Sequence, residues 1–64
     1  MKTHTITARS YHELKSQLYS WESHPKIRIT TPEADIAKAL ATARIQGSKA
    51  QQFKVDLTLH YRLA

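Results

Sequence analysis

The last segment of the chain alternates without a break: Phe53, Val55, Leu57, Leu59, Tyr61 and Leu63 are apolar, and Lys54, Asp56, Thr58, His60 and Arg62 are polar. A β-strand turns successive side chains to opposite faces, so a period of two sustained over this length predicts one long strand, buried on one side and wet on the other. That prediction constrains everything before it. A long strand needs neighbours along its edges and a second layer over its apolar face.

The rest of the chain supplies both. Residues 3–8 alternate as well, with His4, Ile6 and Ala8 on one side and Thr3, Thr5 and Thr7 on the other. The threonines suit a half-exposed strand. Ser10-Tyr11-His12-Glu13 is a capping-box pattern, in which the Ser10 hydroxyl accepts from the Glu13 amide and the Glu13 carboxylate reaches back to the Ser10 amide. A helix from Tyr11 follows, with Tyr11, Leu14, Leu18 and Trp21 on one stripe, and His24-Pro25 ends it. Residues 26–30 read as a short strand. Thr31-Pro32-Glu33 opens a second helix, with Thr31 as cap. This helix runs to about Gln46, where Gly47 supplies a left-handed terminating residue. Ile36, Leu40 and Ala43 form its inner stripe. Asp35, Lys38, Thr42 and Gln46 form its wet side, and Ile45 lies nearly opposite Ile36.

The expected fold is a two-layer α+β or α/β domain over residues 1–64, ordered β-α-β-α-β, with a three-stranded sheet and two helices on one face. Two crossovers of one hand, stepping the same way, produce that arrangement. A hairpin between the last two strands is disfavoured, because a helix separates them. The opposite sheet face stays open and carries Thr3, Thr5, Thr7, Arg9, Lys26, Arg28, Thr30, Lys54, Thr58, His60 and Arg62, with Asp56 as its single acid.

A chain of 64 residues with no cysteine has a thin core and no disulfide to reinforce it, so association with a second copy or a partner is the expected supplement. The last strand is longer than its two neighbours require, and its end is expected to pair with another chain. A homodimer is the natural form. No apolar run follows the N-terminal lysine, and the most apolar stretch, residues 34–43, is interrupted by Asp35 and Lys38. Neither a signal peptide nor a membrane span is expected. Beginning with methionine and free of cysteine, the chain reads as a complete small cytoplasmic gene product.

Ten Lys and Arg oppose five Asp and Glu, for a formal charge of +5 and a pI near 9.9. Such a balance attracts polyanions. His4, His12, His24 and His60 lack the spacing of a zinc site, so no metal or other cofactor is expected. Ser10 is accounted for as a cap, and no Gly-rich loop offers a phosphate cradle. The segment from Arg44 to Phe53 slightly resembles the Gly-Ser-His segment of the HicA-type toxin ribonucleases. Lys49 stands where that family has its catalytic histidine and the order of elements differs, so no catalytic residue is carried over. A helix-turn-helix across residues 36–59 would need its second helix where the strand-like alternation stands.

The expected function is therefore a small, non-enzymatic, nucleic-acid-associated or regulatory module that binds through Arg9, Lys26, Arg28, Lys54, His60 and Arg62. The alternative is a protein-interaction adaptor or small inhibitor docking on an acidic, nucleic-acid-like protein surface. A compact ribonuclease using His12, His24 or His60 is the remaining enzymatic option.

Overall fold

The computed structural model describes residues 2–49 and 52–64. Part of the ribonuclease-like segment, Ala50 and Gln51, thus lies outside the described residues. The elements are β1 (Lys2–Ala8), α1 (Tyr11–Glu22), β2 (Ile27–Ile29), α2 (Glu33–Lys49) and β3 (Val55–Leu63). Their order and the α+β class are those the sequence implies. The three strands form one antiparallel sheet in the order β1-β3-β2, so the last strand is the central one.

The path of the chain differs from two crossovers stepping one way. β1 and β2 both run antiparallel to β3, and therefore parallel to each other. Only β1-α1-β2 is a crossover. β2 has three residues, and α2, with seventeen, continues onward from it. A helix of that length rises about 25 Å, close to the span of a nine-residue strand. The chain thus reaches the far end of the sheet before β3 begins, and β3 can only run back. β2 and β3 are antiparallel neighbours despite the helix between them.

Alternation sets the faces as expected. Ile6 and Ala8 of β1 and Val55, Leu57 and Leu59 of β3 are buried beneath the helices, with Leu14 and Leu18 of α1 and Ala43 of α2. Tyr11, Trp21, Ile29, Ile36, Leu40 and Phe53 pack around this cluster. Of the larger side chains, Ile6, Leu14 and Leu59 are the ones fully enclosed, so the core is as thin as the length predicts. The Arg44 guanidinium lies 5.2 Å and the Lys15 ammonium 5.8 Å from the Tyr11 ring centre, within cation–π range. His4, which pairs with Leu59 in the ladder, stacks against Trp21 at 4.8 Å, and Trp21 in turn meets Tyr61 at 5.0 Å. Ile45 and Tyr19 are exposed.

Three local expectations are corrected. Ser10 does cap α1, its Oγ accepting from the Glu13 amide at 3.0 Å, but the Glu13 carboxylate meets the Gln17 side chain at 3.5 Å instead of closing the box. Gly47 does not end α2. It has no positive φ, and the helix continues to Lys49. The sequence offers no apolar demand to stop earlier, and Phe53 packs over the glycine: a Cβ built there would meet the Phe53 ring at 3.7 Å. Thr31 is spent elsewhere than on the α2 cap. Its hydroxyl accepts from the His60 amide at 2.7 Å and donates to the His60 carbonyl at 3.5 Å. Among the described residues, Thr31 is the one polar residue buried with the core.

Two outcomes follow from this packing. Gly47→Ala should stabilise the domain by about 0.5–1 kcal/mol, because the glycine is helical and the added methyl finds ordinary contact distance; thermal unfolding would read this as a rise of a few degrees. Thr31→Val keeps the shape and deprives the His60 amide of its acceptor. Its cost should be about 1–3 kcal/mol, measured by urea unfolding.

Candidate functional site

The open face of the sheet is built by the two ladders. In an antiparallel ladder, residues directly opposite share a face. β1 against β3 sets Thr3 beside His60, Thr5 beside Thr58 and Thr7 beside Asp56; β2 against β3 sets Arg28 beside Arg62. Lys26 continues the same parity just before β2, where the Ala64 amide donates to its carbonyl at 2.9 Å. Arg9 and Lys54 flank the other end, next to the Ala8–Val55 pair, and together line one hollow with Gln52 and Phe53.

The five expected cations and the histidine thus fall into two groups. Lys26, Arg28, Arg62 and His60 gather where β2 meets the end of β3. Arg9 and Lys54 stand at its beginning. From Lys54 to Arg62, strand rise puts about 27 Å between the groups. The strip between them is threonine, plus Asp56. The Asp56 carboxylate accepts from the Thr7 hydroxyl at 2.8 Å, so the lone acid is engaged within the face.

Charge is partitioned between the layers. Glu13 and Glu22 lie on α1 and Glu33 and Asp35 on α2, leaving Asp56 as the one acid of the sheet face against five Lys and Arg. The helical layer, with Lys15, Lys38, Arg44 and Lys49, is close to balanced. Nearly all of the surplus positive charge therefore sits on the open face. Arg28 opposite Arg62 is the point of highest tension, since like charges directly across a ladder repel.

The side chains needed for other chemistry do not converge. His12 stands in the first turn of α1 and His24 just after its last, about 18 Å apart by helical rise; His24 Nδ1 accepts from the Lys26 amide at 3.1 Å. His4 faces the helices. Among the described residues no group of three or more His, Cys, Asp or Glu is placed to hold a metal ion, and no helix is long and apolar enough to cross a membrane. The aromatic side chains stay off the open face: Tyr11, Trp21, Phe53 and Tyr61 pack on the helical side, and Tyr19 is exposed on α1.

Sequence reasoning found the cations but missed two features. One is the Arg28–Arg62 juxtaposition, which depends on β2 and β3 being antiparallel neighbours in this register. The other is an open groove of about 730 Å³ between α2 and the first half of β3, lined by Lys38, Ala39, Thr42, Phe53, Asp56 and Thr58 among others. No local signal announces either. No protein-family model, curated protein or solved structure matches this chain.

Proposed function

We propose that this domain is a non-enzymatic binding module that holds the phosphates of a nucleic acid against the open face of its sheet. The observation that carries the reading is Arg28 directly opposite Arg62, on the face where the chain collects its positive charge. Two guanidiniums held across a ladder destabilise an empty sheet and are reconciled by an anion between them. Guanidinium forks match phosphate oxygens, while the neighbouring Thr3, Thr5 and Thr58 hydroxyls and His60 add short hydrogen-bonding groups.

The mode is backbone contact. Single strands bound without sequence preference are usually gripped by bases stacked on aromatics, and this face has none. Phosphate contacts position a nucleic acid and carry no direct sequence information, so binding should be sequence-tolerant and steep in salt. The two cationic groups, about 27 Å apart by strand rise, would grip separated phosphates with the threonine strip lying over the intervening backbone. An acidic protein surface would meet the same cations. It is the weaker reading because protein interfaces use aromatic and large apolar anchors at their centres, and the exposed face offers threonines there.

The test separates function from mere solvation of a sheet face. Arg28→Glu places a carboxylate opposite Arg62, so the fold should gain about 0.5 kcal/mol while binding falls. Titration of a labelled duplex at several salt concentrations should show affinity for the wild type falling steeply with salt. Arg28→Gln should lower the slope of log affinity against log salt by about 0.9. Arg28→Glu with Lys54→Glu should remove binding while circular dichroism stays unchanged. Equal affinity of this folded double variant and the wild type would overturn the reading.

A further inference from the structure

The edge of β3 is filled along one part of its length and bare along another. The Thr30 amide donates to the His60 carbonyl at 2.8 Å, and the His60 amide donates to Thr31 Oγ1. His60 therefore directs its main-chain groups toward β2. Main-chain groups alternate in direction along a strand, so those of Thr58 and Asp56 point toward the same edge. β2 does not reach them: its pairing with β3 covers Tyr61 to Leu63, and at Thr31 the chain leaves for α2. No described residue pairs with this edge at Asp56 or Thr58. The unpaired stretch is the beginning of β3, not its end, which β2 occupies. It opens into the groove beside α2. The far wall of that groove is formed by Asp35, Lys38, Ala39, Thr42 and Gln46 of α2; Ala39 is half-buried, and the Thr42 hydroxyl is turned onto its own helix, donating to the Lys38 carbonyl at 2.9 Å.

We infer that a second copy of this chain occupies this edge, the two β3 strands pairing antiparallel about a two-fold axis through Val55. An unpaired edge is a template for another strand, and symmetric pairing presents the same patch twice. Charge selects the register. Pairing centred on Val55 sets Lys54 of each copy opposite Asp56 of the other, two attractive cross-strand contacts on one face. Centring on Asp56 would set two aspartates face to face. The chosen register also keeps the incoming strand clear of β2, because Thr58 then faces Gln52 of the other copy. The two-fold axis stands perpendicular to the joined sheet. Both open faces consequently lie on one side as a continuous basic surface, and the Ala39–Thr42 stripes of the two α2 helices face each other on the other side.

The test needs no nucleic acid, so its outcome is independent of the function proposed above. Molar mass of the intact chain, 7.4 kDa as a monomer, is measured by light scattering from micromolar to millimolar concentration, with circular dichroism on every variant. The wild type should reach twice the monomer mass. Thr58→Pro removes an N–H that the β1–β3 ladder does not use, so it should stay folded and remain monomeric. Asp56→Lys should raise the dissociation constant about tenfold or more, and Lys54→Asp combined with Asp56→Lys should restore it. A wild type that is monomeric throughout, a dimer that survives Thr58→Pro, or a charge swap that fails to restore association would each overturn the inference. If Thr58→Pro fails to fold, the charge-swap pair decides.

Discussion

The structure depends on the last strand entering between the first two. Every ladder of the sheet has β3 on one side, and β3 contributes Val55, Leu57 and Leu59 to the eight apolar residues buried among the described residues. Lys2 lies opposite Tyr61 and Ile27 opposite Leu63, so neither outer strand has a partner until the last residues of the chain reach it. Contacts so distant in sequence are costly to close and slow to form. The local signals, above all the Ser10 cap and the α1 stripe, can organise one helix in advance. They cannot make a sheet.

The same central position explains the electrostatics of the open face. Placing β3 in the middle puts Arg62 against Arg28 and His60 against Thr3. Had the strands followed chain order, β1 and β2 would have been neighbours and His60 would not have lain against Thr3. The four other acids stand on the helices, Asp35 lining the groove beside β3, and Asp56 accepts from Thr7. A thin-cored domain that keeps like charges opposite each other gives up stability, and such concessions are expected at functional sites.

Thr31 links the fold to its edges. Its hydroxyl closes the His60 main chain at the point where β2 would otherwise have continued. A buried polar group must find partners, and here one side chain supplies both. By doing so it releases the chain into α2 after a strand of only three residues, which leaves the edge at Asp56 and Thr58 bare and opens the groove beside α2.

Much of this was legible in the residues. A period of two fixed which side chains of β1 and β3 face the helices, and a period near four fixed the inner stripes of α1 and α2, because both follow from backbone geometry alone. For the same reason Arg28, His60 and Arg62 could be assigned to the open face in advance. Strand order and direction could not, since alternation is identical in parallel and antiparallel sheets. Gly47 and Thr31 were misread because each suits two local roles: a glycine can end a helix or lie within one, and a threonine before proline can cap a helix or turn inward. Phe53 over Gly47 and His60 beside Thr31 decided between those roles, and both contacts form only when the last segment packs back onto the rest of the chain. The sequence by itself determined the elements and their faces; only tertiary structure decided which strand is central, because that depends on what each free edge can pair with.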